Sequence, residues 1–249
     1  MEKLKTGIDG LDKALNGGIP VQNLVLVSGG AGTGKSTLCL QYIIRGAEKF
    51  GDKGLYVSTE QNKSEIYKQG ESLGWKIQDL EKKGKLMIKY IDIVKGGNPL
   101  EEIYDAYSNF QPKRLVIDSL TTLTDAMLIS GEVEQAAFSM VQVAESISPV
   151  PRTEQIVAKS MLYQLVSKLK LFSSTVMMTS ELPEETNYLS ADNISEFICD
   201  GVIVMHYLGV GAVDFRTMRI RKMRYTDHEK GTLPYEIGKN GIEIKPQEL

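Results

Sequence analysis

A glycine-rich segment at residues 28–37, Ser-Gly-Gly-Ala-Gly-Thr-Gly-Lys-Ser-Thr, has the spacing of a loop that binds phosphate. Its backbone N–H groups can wrap a phosphate chain, Lys35 can reach the outer phosphates, and the Ser36 hydroxyl can coordinate Mg²⁺. The helix predicted to begin near Lys35 points its positive end at the same anion. The segment therefore predicts a site for a nucleoside triphosphate. The residues predicted to contact it here are Gly29, Gly30, Gly32, Thr33, Gly34, Lys35, Ser36 and Thr37.

Two carboxylates follow apolar strand patterns and could complete this site. Asp118 ends the run Arg-Leu-Val-Ile-Asp, which has the form of a Walker B strand, and it would face Mg²⁺ through the water shell of the ion. Glu60 follows the run Leu-Tyr-Val-Ser-Thr, where it could polarise the water that attacks the γ-phosphate. Simpler interpretations are a helix cap at Asp118 and a solvent-exposed charge at Glu60. Because a phosphate loop precedes them, we predict Glu60 and Lys35 as catalytic residues and Ser36 and Asp118 as the metal site.

Two cations near the C-terminus lie on a strand pattern, in the run Lys-Met-Arg-Tyr-Thr-Asp-His at 222–228. A period of two places Lys222 and Arg224 on one face, with Met218 and Ile220 behind them. The pair could simply protect an edge strand from aggregation. Alternatively, it reaches the phosphates of a neighbouring subunit, as an arginine finger does.

The elements that position these residues alternate between strand-like and helix-like patterns. This order predicts an α/β fold with a mainly parallel central sheet, flanking helices and an antiparallel C-terminal edge. Ligands of such sheets bind at the carboxyl ends of the strands, where the phosphate loop, Glu60, Asp118 and Glu181 all fall. The predicted strands are 23–29, 54–60, 85–92, 114–120, 174–181, 200–207 and 214–224, with a short pair near Tyr235 and Ile242.

Length and composition favour one soluble domain over residues 1–249. The chain has no apolar run long enough to cross a bilayer and no leader-like start, so we expect a cytoplasmic protein without a membrane partner. Its two cysteines argue against a disulfide framework, and its two histidines argue against a zinc site. The net charge of −3 does not favour a surface that grips nucleic acid throughout.

Taken together, these motifs resemble the KaiC-like ATPases of the RecA superfamily, in their archaeal single-domain form. The resemblance begins at Thr-Gly-Ile-Asp-Gly-Leu-Asp (6–12) and passes through the phosphate loop and Tyr-Val-Ser-Thr-Glu (56–60). It continues through Ser-Leu-Gly-Trp (72–75), Val-Ile-Asp-Ser-Leu-Thr (116–121), Thr-Ser-Glu (179–181) and the run at 222–228. It implies a RecA-like P-loop NTPase fold, ATP and Mg²⁺ as cofactors, and hexameric rings with ATP between subunits.

Matched by position, the resemblance gives roles to further residues. Glu60 matches the catalytic glutamate, and Ser72 matches a residue that touches nucleotide. The chain departs from the family at Gln61, where a second glutamate is common, and this change points to slow turnover. The positions of the autokinase hydroxyls read Glu196-Phe197, which argues against autokinase activity. The residues that match the segment contributed across the subunit interface are Lys222, Met223, Arg224, Thr226 and His228.

The stretch after the Walker B strand differs from the family and carries two predicted helices. Apolar residues recur at helical spacing between Val133 and Ile147, a Pro-Val-Pro kink follows, and a second helical pattern runs from Ile156 to Leu169. An added core helix is one interpretation, and a subunit or partner contact is the other.

Recombinases of this superfamily bind single-stranded DNA with two loops, and here both equivalent stretches lack cations. Residues 119–150 and 171–215 contain no lysine or arginine and carry eleven aspartates and glutamates in all. Because phosphate binding needs cations, nucleic acid is not favoured as a partner. Two alternatives to a plain ATPase stay open: a nucleotide-gated module that captures a basic protein, and a RecA/RadA-paralogue-like DNA-repair accessory factor. The second would rely on outer basic patches at residues 82–85 or 216–221.

Overall fold

The computed structural model describes residues 1–95, 97–129, 153–183, 188–210 and 213–245 of the chain. The strands are β1 (Lys3–Leu4), β2 (Ile19–Pro20), β3 (Leu24–Gly29), β4 (Gly54–Ser58), β5 (Leu86–Tyr90), β6 (Arg114–Asp118), β7 (Thr175–Glu181), β8 (Gly201–Val210), β9 (Val213–Met223), β10 (Leu233–Gly238) and β11 (Gly241–Ile244). The helices are α1 (Leu11–Ala14), α2 (Lys35–Phe50), α3 (Lys63–Ser72), α4 (Ile77–Lys82), α5 (Pro99–Phe110), α6 (Leu120–Ile129), α7 (Thr153–Leu169) and α8 (Ser195–Ile198).

In the described part of the chain, nine strands form one sheet in the order β11-β10-β9-β8-β3-β7-β6-β4-β5. The six strands from β8 to β5 pair in parallel, and β9, β10 and β11 continue from β8 by antiparallel pairing. A short pair, β1 and β2, stands apart from this sheet. The α/β class, the parallel centre and the antiparallel C-terminal edge are therefore confirmed.

Apolar residues cover both faces of the parallel strands. Along β3, Val25 and Val27 belong to one buried cluster, whereas Leu24 and Leu26 belong to the cluster on the other face. Helix α2 packs in the first cluster and α7 in the second, where Leu162 and Leu165 are buried. Residues buried on both faces explain why the strand runs read as continuous apolar stretches rather than alternating ones.

Two helices are predicted after the Walker B strand, and the structure describes one of them. The second predicted helix exists as α7, and it buries Leu162, Leu165 and Leu169 beneath the sheet, as expected of a core helix. The first predicted helix, between Val133 and Ile147, lies outside the described residues. The choice between a core role and a partner contact is therefore made only for α7.

The helices that follow the strand ends begin at residues suited to capping. Asn62 caps α3 by accepting from the N–H groups of Ser64 and Glu65, and the Glu65 carboxylate accepts from the N–H of Asn62. This reciprocal pair is a capping box, and it fixes the turn between β4 and α3. The turn carries Glu60 and Gln61, so the cap holds both residues close to the end of β4.

The C-terminal strand β9 departs from a strict period of two. Val202 pairs with Lys222 whereas Ile203 pairs with Ile220, so a bulge at Arg221 shifts the register. The bulge changes which side chain points inward, because Met218, Ile220 and Met223 are buried. The predicted alignment of Lys222 with Met218 and Ile220 is therefore wrong: the bulge places Met223 on the buried face instead.

Candidate functional site

The phosphate loop links the end of β3 to the first turn of α2. Gly34 precedes the helix with φ 90°, a conformation that glycine adopts without steric cost. The Lys35 side chain is buried, and its Nζ donates to the carbonyl oxygen of Gly30 at 3.1 Å. The Thr33 hydroxyl donates to the same oxygen at 2.9 Å. The loop thus folds over its own lysine, and the N-terminal N–H groups of α2 point into the space that the loop surrounds.

Gly29 is a glycine because the neighbouring strand passes close to it. A Cβ atom at this position would lie 2.4 Å from the carbonyl oxygen of Met205, which pairs with Gly29 across β8. Gly34 faces a similar restriction, since a Cβ there would lie 2.6 Å from Cδ1 of Ile237. The first and last glycines of the motif are therefore required by packing within the chain itself.

Asp118 ends β6 beside this loop and is buried with two hydroxyl donors. The Tyr56 hydroxyl donates to Oδ2 of Asp118, and the Thr179 hydroxyl donates to Oδ1. Burial raises the pKa of Tyr56 well above its usual value, and the neighbouring Asp118 charge raises it further. Tyr56 therefore stays a donor, and the carboxylate is fixed in orientation between β4 and β7. The helix-cap interpretation of Asp118 receives no support from these contacts.

Oxygen donors at this edge match the preference of Mg²⁺. Ser36 supplies a half-buried hydroxyl in the first turn of α2, and Asp118 supplies a buried carboxylate. Mg²⁺ keeps several of its waters and needs only one or two protein oxygens besides the phosphates. Ser36 and Asp118 therefore carry donor atoms of the kind that such a site needs, and each oxygen of Asp118 already accepts one hydroxyl hydrogen bond.

Glu60 lies two residues beyond β4, in the turn before α3. It is exposed, and its Oε1 accepts a hydrogen bond of 3.0 Å from the Thr122 hydroxyl on α6. The next residue, Gln61, donates its backbone N–H to the Ser58 hydroxyl at 3.0 Å. Its Oε1 is buried and accepts no hydrogen bond from the described residues. The sequence left two interpretations of Glu60 open, a catalytic base or a solvent-exposed charge. The hydrogen bond from Thr122 fixes the position of its carboxylate, although the side chain is exposed.

Lys222 and Arg224 lie at the opposite end of the sheet from the phosphate loop of the same chain. Met223 pairs with Gly201 and Gly201 with Val25, near the start of β3, whereas the loop follows the end of β3. The fold therefore brings Lys222 and Arg224 close to each other but not to Lys35 of the same chain.

Both cations have partners within the chain. Nζ of Lys222 donates to the carbonyl oxygens of Glu196, Phe197 and Cys199, where α8 ends. Arg224 forms an ion pair of 3.0 Å with Asp200. Burial lowers the pKa of Lys222, and the neighbouring Arg224 charge lowers it further. Lys222 and Arg224 are therefore not simply solvent-exposed charges on the strand, because each has a partner within the chain.

The other residues matched by the resemblance occupy varied environments. Met223 is buried, Thr226 donates to the carbonyl oxygen of Asp227, and Nδ1 of His228 lies 2.9 Å from the carbonyl oxygen of Glu229. Ser72 is exposed at the end of α3, where its hydroxyl donates to the carbonyl oxygen of Gln69 at 2.7 Å. Gln69 in turn donates to the Thr37 hydroxyl at 3.3 Å, which ties α3 to the phosphate loop.

Three carboxylates of the cation-free stretch 171–215 have hydrogen-bond or ion-pair partners within the chain. Asp192 accepts from the backbone N–H groups of Ile194 and Ser195, Glu196 accepts from the Ser190 hydroxyl, and Asp200 pairs with Arg224. Their charge is partly compensated. The acidic character of this stretch is therefore weaker than its composition indicates.

Sequence reasoning gave no supporting role to the residues that hold the site from neighbouring strands. Tyr56 and Thr179 hold Asp118, Arg216 donates from Nε to the carbonyl oxygen of Gly32 at 3.3 Å, and Tyr235 donates to the carbonyl oxygen of Thr33. The position of Thr179 near the carboxyl end of its strand, two residues before Glu181, could have indicated that it lies at the site. Arg216 was named only within the basic run 216–221 and Tyr235 only within a short strand pair, because their contacts with the loop depend on the pairing of strands far apart in sequence.

The comparisons with known proteins agree with this architecture. The family model for the KaiC ATPases matches residues 4–145 and, in a second match, residues 132–249. The circadian clock oscillator protein KaiC of Nostoc sp. is 32% identical over 258 residues, which cover 99% of this chain and 44% of that protein. The KaiC protein of Synechococcus elongatus is likewise 32% identical, over 98% of this chain and 44% of its own length. The chain thus spans about half the length of these relatives.

A solved structure extends the likeness to three dimensions. The KaiC-like protein from the hyperthermophilic archaeon Pyrococcus horikoshii OT3 superposes with a TM-score of 0.78 at 33% identity, and the match covers 98% of this chain and 99% of that one. No helix in the described residues is long and apolar enough to cross a membrane. The RecA/RadA-paralogue-like alternative is not favoured by these matches. The chain belongs to the KaiC family of ATPases, with the fold of the RecA superfamily.

Proposed function

We propose that residues 1–249 form one Mg²⁺-dependent ATPase domain that acts as a slow, nucleotide-driven switch within a hexameric ring. The observation that carries this proposal is the convergence of three strand ends. The phosphate loop follows β3, Glu60 follows β4 and Asp118 ends β6, with Glu60 and Asp118 each held by hydroxyl donors. The family membership adds support for ATP as the nucleotide.

In the proposed reaction, water attacks the γ-phosphorus and ADP leaves as the bond to the bridging oxygen breaks. Glu60 accepts the proton of the attacking water, and Thr122 keeps its carboxylate in place. Lys35 leaves the carbonyl oxygen of Gly30 and neutralises charge on the outer phosphates. Ser36 and Asp118 would hold Mg²⁺, which would supply positive charge to offset that of the phosphates.

The far position of Lys222 and Arg224 supports a role for them on a second chain. Cations at the end of the sheet remote from their own loop cannot serve their own phosphates, whereas they can serve those of a neighbour in a closed ring. Lys222 would exchange its three carbonyl partners for phosphate oxygens. This exchange, together with the amide of Gln61 where the family often has a carboxylate, favours slow turnover.

The binding half of the proposal is tested by Lys35→Ala. We expect ATP binding in isothermal titration to disappear, since the buried Lys35 side chain places its ammonium within the proposed phosphate loop, 3.1 Å from the carbonyl oxygen of Gly30. Lys82→Ala is the matched control, because it removes the same charge from an exposed position at the end of α4. Unchanged ATP affinity in Lys35→Ala would overturn the assignment of the phosphate loop.

The chemical half is tested by Glu60→Gln. ATP affinity should stay within about twofold of the wild type, while hydrolysis falls by roughly a hundredfold or more as the base is lost. Glu101→Gln serves as control, since Glu101 is an exposed glutamate in the first turn of α5. A rate equal to that of the wild type would assign the base to another residue.

The ring is tested by mass measurement with and without ATP and Mg²⁺, followed by mixing of two inactive variants. Lys35→Ala lacks a phosphate site, and Arg224→Ala lacks a cation for its neighbour. An equimolar mixture should regain about a quarter of the wild-type hydrolysis, because that share of random subunit contacts is complete. A monomer under both conditions, or a mixture that stays inactive, would contradict the role across the interface.

Two finer elements of the proposal are a cytoplasmic location and a basic protein partner. Exposed Glu181 at the site edge supports the partner, whereas Asp192, Glu196 and Asp200 contribute less because they are compensated within the chain. A pull-down with a non-hydrolysable ATP analogue tests it against one with ADP. A basic protein retained only with the analogue would support the partner, and equal retention would count against it.

A further inference from the structure

Three residues form a row across the antiparallel edge of the sheet, beside the phosphate loop. Tyr207 on β8 pairs with Arg216 on β9, and Arg216 pairs with Tyr235 on β10. The guanidinium carbon of Arg216 lies 4.4 Å from the centre of the Tyr207 ring, which is a cation–π contact. The half-buried Arg216 side chain is thus held in place from one side by an aromatic face.

The row donates to two consecutive carbonyl groups of the phosphate loop. Nε of Arg216 donates to the carbonyl oxygen of Gly32 at 3.3 Å, and the buried Tyr235 hydroxyl donates to the carbonyl oxygen of Thr33. Burial raises the pKa of Tyr235, so its hydroxyl keeps the proton that it donates. Both donors come from strands more than 180 residues distant from the loop, and no glycine, serine or lysine of the motif itself supplies them.

The planarity of the peptide bond gives these two contacts a consequence for phosphate binding. In a trans peptide, the carbonyl group of one residue and the N–H group of the next point in opposite directions. A donor on the Gly32 carbonyl therefore orients the N–H of Thr33, and a donor on the Thr33 carbonyl orients the N–H of Gly34. A hydrogen bond to a carbonyl also polarises the peptide and strengthens its N–H as a donor.

We infer that Arg216, with Tyr235, is a positioning residue for nucleotide binding, acting on the outer side of the phosphate loop so that the amides of Thr33 and Gly34 face the phosphates. The inference rests on the proposed function. Arg216 is suited to this role because its guanidinium, a permanent positive charge, donates to the loop itself. When amides bind the substrate and the transition state equally well, the loss of their contacts raises KM and leaves kcat unaltered.

The test is Arg216→Gln, assayed for Mg-ADP and Mg-ATP affinity by titration and for KM and kcat by phosphate release. We expect both dissociation constants and KM to rise about tenfold, with kcat within about twofold of the wild type. Arg216→Lys, which keeps the charge but loses the planar stack, should recover part of the affinity. Arg219→Gln is the matched control, since Arg219 is an exposed cation three positions along β9.

Tyr235→Phe provides a second variant that removes a single hydroxyl. It should raise the same constants about fivefold through the loss of one buried hydrogen bond. Equal losses in Arg216→Gln and Arg219→Gln would overturn the inference in favour of a general charge effect, and unchanged affinity in Arg216→Gln would overturn it outright. Weaker ATP binding with unaltered ADP binding would instead show direct contact with the γ-phosphate. A wild-type chain that binds no nucleotide would overturn the proposed function itself.

Discussion

Arg114 and Asp52 form a buried ion pair that joins the helix after the phosphate loop to the strand that carries Asp118. Arg114 is fully buried at the start of β6, and its Nε and Nη2 donate to Oδ2 of Asp52 at 3.0 and 2.7 Å. It also donates to the carbonyl oxygens of Tyr42 on α2 and Lys5. Replacement of Asp52 by Asn would leave the guanidinium charge without its closest counter-ion.

The expected cost of Asp52→Asn follows from this geometry. Two unit charges about 4 Å apart attract by about 4 kcal/mol at an effective dielectric constant of about 20. Removal of one partner from a buried pair typically costs about 3–5 kcal/mol, because the other charge stays buried. The asparagine amide keeps one acceptor for Arg114, so we expect the free energy of unfolding to fall by about 3 kcal/mol.

The assay is urea unfolding without nucleotide, at one fixed protein concentration, for Asp52→Asn, Arg114→Met and the double variant. Lys113 also pairs with Asp52, at 3.2 Å, so the aspartate in Arg114→Met keeps a cation. The double variant should lose less free energy of unfolding than the two single variants lose in sum, and the difference should be at least about 1.5 kcal/mol. A loss below about 1 kcal/mol in Asp52→Asn, or strictly additive losses, would refute this account of the pair.

Two further predictions concern stability. Burial raises the pKa of Cys199 to about 12, from an ordinary value near 9. The folded thiol keeps its proton where the unfolded one loses it, so the associated stability is complete below about pH 9 and is lost progressively between about 9 and 12; Cys199→Ala should remove that part of the slope in urea titrations. Gly29→Ala should lower the unfolding midpoint because its Cβ would lie 2.4 Å from the Met205 carbonyl oxygen, whereas Gly30→Ala, with its nearest contact at 3.7 Å, should not. Equal midpoints for the two alanine variants, measured by thermal scans, would contradict the packing argument.

Features set by local spacing could be predicted from the sequence. The strand before the phosphate loop, the glycine turn and the start of α2 depend on residues within about fifteen positions of one another. The apolar run that ends at Asp118 likewise predicts a buried strand whose carboxyl end meets the loop. Parallel strands place such ends together, so Lys35, Glu60 and Asp118 could be assigned to one edge in advance.

Features set by pairing between distant strands could not be predicted. Arg216 lies against Gly32 only because β9 and β10 pair in one particular register. The bulge at Arg221 reverses the inward face of β9, and a period of two gives no sign of it. The capture of Lys222 by the end of α8 depends on the path of the chain between two strands. These contacts come from tertiary structure.

Strand β9 carries Arg216 near its own phosphate loop and Lys222 six residues further on, about 20 Å away at the rise of an extended strand. In the proposed ring, each β9 would therefore connect two consecutive ATP sites through covalent backbone, one supported by its arginine and the next reached by its lysine. A movement of β9 as a whole would displace both residues, since one backbone carries them. Neighbouring sites would then hydrolyse ATP in a mutually dependent order, and the hydrolysis rate would depend cooperatively on ATP concentration.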